Sequence, residues 1–224
     1  MSSPVRSSST HQDPPKEKIF SICAKNVMEA SVRPEPRFIA IAGPSGCGKT
    51  TVITELIRQN PKMFTQAISH TTRSPRPGER DGVDYHFVTP QRFHGMVGSG
   101  LFMEHADYCG NHYGTTWKSI HDSIQAGLYP IKAVDVQGCS SIATSMPEAV
   151  RIFLMPSDPT QVETRLRGRS SDSPEDIAKR IDRSLSEIQQ ISDFHYLVTN
   201  DDGKVQDAVD HIVAIMKAES CRVK

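Results

Sequence analysis

The chain has 224 residues, 37% hydrophobic and 23% charged, with a formal net charge of +0. That length and apolar fraction suit one globular domain with a sizeable core. The balanced charge excludes a global field drawing the protein to nucleic acid or an acidic membrane, so any anion binding has to be local.

No apolar run approaches the ~20 residues of a membrane-spanning helix. The five cysteines, Cys23, Cys47, Cys109, Cys139 and Cys221, form no CxxC pair and no zinc spacing. They read as reduced thiols in a cytosol-like compartment.

In chain order, residues 1–36 are a Pro/Ser-rich flexible tail, with "IFSICAKNVMEASV" as a candidate short packing helix. The first residues, "MSSPVRSSST", lack the apolar core of a secretory signal. Their Ser-rich, acid-poor composition leaves organelle targeting as an alternative to a plain tail on a cytoplasmic protein.

From Phe38 the pattern changes. "RFIAIAG" is a short apolar run ending in glycine and predicts a buried strand. "KTTVITELIRQN" places Val52, Ile53, Leu56 and Ile57 at helical spacing. "FTQAISHTT" reads as a second strand. A loop rich in arginine, proline and glycine follows, then a short strand, "DYHFV". "TPQRFHGMVGSG" predicts a helix with Thr89 as N-cap and Pro90 at its first position.

"LFMEHADYCGNHYGTT" reads as strand, turn and bend, and "WKSIHDSIQAG" as a helix. "YPIKAVDVQG" and "AVRIFLMPS" read as buried strands, and "DPTQVETRLRGR" as a helix. "SPEDIAKRIDRSLSEI" predicts another, with Ser173 capping, Pro174 opening and Asp176 in the first turn. A strand, "YLVTND", and a last helix, "KVQDAVDHIVAIMKA", close the order.

Strands alternating with helices predict an α/β fold whose parallel sheet is covered on both faces. Residues 69–115, where short strands follow one another, read as an inserted antiparallel lobe.

"GPSGCGKT", Gly43 to Thr50, fits the phosphate-binding pattern G-x-x-x-x-G-K-[ST] between a predicted strand and a predicted helix. Glycines there let backbone amides turn inward around phosphate oxygens, and the helix N-terminus adds a positive end. Lys49 supplies a mobile charge, and Thr50 offers a hydroxyl to Mg²⁺. The motif predicts binding of a nucleoside triphosphate and does not by itself choose among kinase, motor and switch.

"GPSGCGKTT", then "SHTTRSPRPGERDGVDYHF", "FMEHADYCGNHYGTT", "VDVQG", "RLRGRSSDSPEDIAKRI" and "VTNDD" follow in an order and spacing that resemble guanylate kinase. The resemblance covers about residues 37–217. It implies a P-loop NTPase core (37–68, 116–157 and 194–217), a GMP-binding β lobe (69–115), a helical lid (158–193) and a C-terminal tail (218–224). It also implies transfer of a phosphoryl group from MgATP to GMP, and to dGMP, within purine nucleotide metabolism. No nucleic-acid polymer, membrane or obligate protein partner is expected.

Carried over residue by residue, the resemblance implies that ATP meets Gly43, Pro44, Ser45, Gly46, Cys47, Gly48, Lys49, Thr50 and Thr51. Arg165, Arg169 and Arg180 would reach its phosphates from the lid, and Asn200 would approach adenine. The GMP phosphate would meet Arg73, Arg76, Tyr85 and Tyr113, and the guanine Ser69, Glu104, Thr115 and Asp135. Arginine forks suit a phosphate dianion, and tyrosine hydroxyls add neutral donors. A carboxylate such as Glu104 can accept from both Watson–Crick donors of guanine, where adenine presents an acceptor. Lys49, Arg73, Arg165, Arg169 and Arg180 are the expected catalytic set, with Arg80 and Arg183 left as ordinary surface charges.

The sequence departs from the family pattern at Ala133, where an acidic residue commonly precedes "D-x-Q-G" by two positions. Strand alternation would point Ala133 and Asp135 the same way, so one carboxylate is missing beside the phosphates. Ser170 in "Gly168-Arg169-Ser170" stands where the family has glycine, which stiffens the lid hinge. The amide nest around Cys47 favours a reactive thiolate; an inert small side chain is the alternative. Two other functions remain open: a guanylate-kinase-like module holding phosphopeptides, and a related P-loop kinase for a phosphorylated sugar.

Overall fold

The computed structural model describes residues 36–108, 110–167 and 174–222. The candidate helix in residues 19–32, the expected Ser173 cap and the hinge at Gly168, Arg169 and Ser170 lie outside them.

Five parallel strands make the core sheet: β1 (Ile39–Ala42), β2 (Phe64–Gln66), β7 (Tyr129–Ala133), β8 (Val150–Met155) and β9 (Tyr196–Thr199). Their order is β2-β7-β1-β8-β9. β1 is central, with Ile39 beside both Ile131 and Val150. All four of its residues are buried, as an unbroken apolar run in a sheet covered on both faces demands.

Helices α1 (Lys49–Gln59) and α7 (Val205–Glu219) cover one face. Val52, Ile53 and Leu56 meet Val209, Ile212 and Met216 there over the odd-numbered side of β1. Helices α3 (Trp117–Gln125) and α4 (Val136–Ser145) cover the other, where Ile120, Cys139 and Ile142 pack on Phe38, Ala40 and Phe153. Helices α5 (Thr160–Arg167) and α6 (Pro174–Ile188) follow β8 as a helical lid joined through Val162 and Ile181. The chain is thus an α/β fold with a parallel core sheet, an inserted lobe and a helical lid. No described helix is long and apolar enough to cross a membrane.

The lobe is a second sheet with order β4-β3-β6-β5, built from β3 (His70–Thr71), β4 (His86–Phe87), β5 (Phe102–Tyr108) and β6 (Asn111–Thr116). Helix α2 (Pro90–Gly98) packs on it through Phe93, which stacks on Phe102 at 4.5 Å. The expected cap is present: the Arg92 amide donates to Thr89 Oγ1 at 3.2 Å.

Four local expectations are corrected. "FTQAISHTT" is two strands in two sheets: β2 ends at Gln66, and the chain leaves the core before β3. The lobe is mixed, because β3 pairs with β4 in parallel. Residues 136–138, expected as the end of a strand, and 139–145, which carried no assignment, form α4. Gly138 and its run of serines have poor helix propensity, and burial of Val136, Cys139 and Ile142 overrides it. Finally, β7 ends at Ala133, so strand alternation does not carry to Asp135. Asp135 instead caps α4, accepting from the Gly138 amide at 2.7 Å.

Candidate active site

The loop after β1 is shaped by glycines in conformations closed to other residues. Gly43, Gly46 and Gly48 have φ of 144°, 88° and 93°. A Cβ on Gly43 would lie 2.0 Å from the Leu154 carbonyl oxygen. The loop therefore runs against the end of the neighbouring strand, with room for backbone only. Gly48 is also the N-cap of α1; no side chain caps that helix and no acid sits in its first turn. Its leading amides are open, and its positive end faces the loop.

Three cations close around this nest. The Lys49 ammonium donates to the Gly43 and Pro44 carbonyls at 2.6 and 3.0 Å. Arg165 reaches in from α5, donating to the Cys47 and Asn200 carbonyls at 3.4 and 2.9 Å while Asp202 holds its Nε at 2.9 Å. Arg180, from α6, approaches Ser45 Oγ at 3.5 Å. Arg169 lies outside the described residues.

Asn200 is buried and donates to the Cys47 carbonyl at 2.8 Å. Its Oδ1 has no partner among the described residues. A buried unpaired amide oxygen is costly, and it suits an exocyclic amine such as adenine carries. These groups fit a nucleoside triphosphate. Thr50, exposed in the first turn of α1, offers the oxygen a hard cation needs. Among the described residues no group of three or more His, Cys, Asp or Glu side chains is placed to hold a metal ion.

Cys47 is wholly buried beneath the loop. Burial pushes its thiol up, outweighing the opposing charge of Lys49. Of the two readings of Cys47, the fold supports the inert small side chain: desolvation opposes the thiolate, and the side chain is core.

A second anion-directed cluster stands in the lobe. The Arg73 guanidinium lies 5.5 Å from the Tyr85 ring centre, and Tyr85 meets Tyr113 edge-on at 6.0 Å. Burial raises the Tyr85 hydroxyl above its usual range, keeping it a neutral donor. Glu79, to which the sequence alone assigns nothing, accepts from Arg73 Nη2 through both carboxylate oxygens at 2.7 and 2.9 Å and from the Arg76 amide at 2.7 Å. These bonds hold Glu79 below the usual carboxylate range. Arg76 and Arg80 are exposed, and the Arg80 amide bonds Asp84 at 2.7 Å.

Beyond Arg73, Ser69 Oγ lies 3.3 Å from Thr115 Oγ1, both buried. A bulge between Phe102 and Glu104 sets Glu104 directly opposite Thr115 across β5 and β6, turning both to one face. Lys132, from the core strand β7, bonds Glu104 and reaches Thr115 Oγ1 at 2.5 Å. Motif spacing does not single out Lys132; a lysine inside an otherwise apolar strand is the signal that could have found it.

Asp135 pairs with Arg183 of α6 at 3.1 Å. Arg183, expected as a plain surface charge, thus ties the lid to the core and also holds Glu187 at 2.9 Å.

Comparison with known proteins accords with this geometry. The family model described as guanylate kinase matches residues 35–219. The guanylate kinase of Desulfitobacterium hafniense is 38% identical over 186 residues, covering 83% of this chain and 92% of that protein. The guanylate kinase of Vibrio cholerae is 41% identical over 180 residues, covering 80% and 86%. The crystal structure of guanylate kinase from Anaplasma phagocytophilum superposes with a TM-score of 0.65 at 27% identity, covering 84% of this chain and 88% of that one. Sequence, glycine-shaped phosphate loop and inserted lobe agree: the chain belongs to the guanylate kinase family.

Proposed function

We propose that the chain transfers the γ-phosphoryl group of MgATP to GMP, and to dGMP, giving ADP and GDP. One observation carries the reading: two separate anion-directed clusters stand on two parts of one fold. One surrounds the open N-terminus of α1 with Lys49, Arg165 and Arg180. The other gathers Arg73, Tyr85 and Tyr113 in the lobe. A nucleotide hydrolase needs only the first, whereas a phosphotransferase between two nucleotides needs both.

The loop Gly43–Thr51 would hold the donor phosphates, with the Asn200 amide oxygen facing adenine. Arg73, Arg76, Tyr85 and Tyr113 would hold the acceptor phosphate. Ser69, Thr115, Glu104 and Asp135 would read guanine, with Asp135 also anchoring the lid. When bound, Mg²⁺ would sit at Thr50 and offset the charge on the transferring group.

An acceptor phosphate oxygen is already anionic, so no strong general base is required. Catalysis then rests on bringing two polyanions together in line, with Lys49, Arg165, Arg169 and Arg180 opposing their repulsion. Residues 37–217 form the catalytic unit in this reading. The lobe (69–115) and lid (158–193) close to exclude water that would otherwise accept the phosphoryl group. The buried, unpaired thiols of Cys47 and Cys139 support a reducing, cytoplasmic setting.

An ADP-release assay with GMP, dGMP, AMP, UMP and CMP as acceptors tests the proposal. Turnover with the guanine nucleotides alone is expected. Equal turnover with every acceptor, or none above the ATP-only rate, overturns it.

A further inference from the structure

Lys132 is an anomaly of the core. It sits in a strand next to the central one of a buried parallel sheet, beside Ala40 of β1 and following Ile131, which is fully buried. Its own side chain is only 16% exposed, and that of Glu104 only 11%. A charge taken that far out of water is tolerated only when paired and hydrogen-bonded. The pairing found is specific: one N–H goes to Glu104 Oε1 and another to Thr115 Oγ1 at 2.5 Å.

An ammonium carries donors and no acceptor. Thr115 must therefore accept from Lys132, and its own hydroxyl proton is free to be given away. The hydroxyl within reach is Ser69 Oγ at 3.3 Å. Thr115 is wholly buried, whereas Ser69 keeps 7% of its surface exposed. Either hydroxyl can donate across this contact, and the ammonium, by drawing on the Thr115 oxygen, favours the arrangement in which Thr115 gives its proton to Ser69. Ser69 then has its own proton left to offer outward.

We propose that Lys132 is a specificity-determining positioning residue, which holds Glu104 in place and biases Ser69 toward donating to the 6-position of the acceptor base. The inference rests on the GMP phosphotransfer proposed above. Guanine carries an oxygen acceptor at that position, and adenine carries an amine donor. A serine free to rotate could serve either. A serine biased toward donating favours the guanine oxygen over the adenine amine. Glu104 plays the complementary part. Lys132 holds its Oε1, so the carboxylate stays aimed from the bulge toward the two donors on the same edge of guanine.

The test compares Lys132→Met, Lys132→Gln and Lys132→Arg with the wild-type chain in steady-state transfer to GMP and AMP, with GMP binding measured calorimetrically in the absence of ATP. Lys132→Met is expected to raise the KM for GMP and weaken GMP binding by about 10- to 100-fold, the range for loss of a charge-assisted hydrogen bond. The GMP-to-AMP ratio of kcat/KM should fall by on the order of 10-fold or more, the range for a site that loses a fixed donor. The KM for ATP should not move. Lys132→Arg, which retains charge and donors only, should keep the GMP-to-AMP ratio near the wild-type value.

Should Lys132→Met fail to fold, Lys132→Gln carries the test. Its shorter amide reaches Glu104 or Thr115 but not both, and the same loss of base discrimination is expected. A folded Met or Gln variant with the wild-type GMP-to-AMP ratio overturns the inference and leaves the phosphotransfer proposal standing. So does a variant in which ATP and GMP parameters decline together with stability, since a structural role predicts that. A wild-type chain that neither binds nor phosphorylates GMP overturns both.

Discussion

Replacing Gly43 by alanine tests whether the phosphate loop is held by backbone contact. At φ 144° an L side chain is strained, at a cost of ~1–3 kcal/mol. The added Cβ would lie 2.0 Å from the Leu154 oxygen and 3.0 Å from its carbonyl carbon. Leu154 cannot easily yield: it is wholly buried in β8 and opposite Val198 of β9. Relieving such an overlap by shifting packed backbone costs a further ~1–3 kcal/mol. The sum, roughly 2–6 kcal/mol, lowers the thermal midpoint by about 4–24 °C at ~2–4 °C per kcal/mol for a domain of this size.

Gly95→Ala is the control, because a Cβ there meets nothing within 4 Å in the exposed interior of α2. It should gain ~0.5–1 kcal/mol of helix propensity. Both variants are followed by calorimetric unfolding and by ATP binding. A Gly43→Ala midpoint within about 1 °C of wild type would refute the contact argument, as would undiminished ATP affinity.

Other expectations follow from the same geometry. Arg73→Ala should raise the KM for GMP and lower kcat, by about 10-fold or more in kcat/KM; a wild-type GMP profile in steady-state assays would remove Arg73 from the acceptor site. His70 titrates at about 4 in the fold because burial disfavours its charged form, against ~6.5 in the unfolded chain. Between those values only the unfolded chain binds the proton, so stability should be flat above pH ~6.5 and fall toward pH ~4. Urea midpoints of His70→Phe should show a shallower decline over that window; an unchanged slope would rule out His70 as its source. Cys221 is exposed and Cys47 is not. Brief iodoacetamide treatment followed by peptide mass spectrometry should find label on Cys221 and none on Cys47; equal labelling would contradict the burial.

The α/β class, the phosphate loop and the family were legible in the chain because each rests on local chemistry. Apolar runs of strand length, glycines at fixed offsets before Lys49, and a cap of Thr89 followed by Pro90 act over a few residues and leave a pattern. Helix α4 was not legible, because Gly138 and its serines carry no helical signal and burial of its apolar face supplies the stability. The break within "FTQAISHTT" was hidden for a related reason: one polar–apolar run serves two sheets, and only strand pairing shows where the chain leaves the first.

The residue types of the candidate site were readable, but their partners were not. Arg73 could be picked out from the motif, while its engagement by Glu79 depends on a tight loop that folds one onto the other. Cys47 illustrates two opposing effects: the loop's amides and Lys49 favour a thiolate, and only the fold shows that burial outweighs them. Lys132 and Glu104 are 28 residues apart in the chain, and their meeting needs a bulge in β5 and the docking of the lobe on β7. The sequence by itself determined which chemistry the chain carries, since glycine freedom, helix ends and charge type are properties of short segments. Only the tertiary structure decided which charges face one another and which protons they hold in place, because desolvation and hydrogen-bond direction depend on neighbours brought from distant parts of the chain.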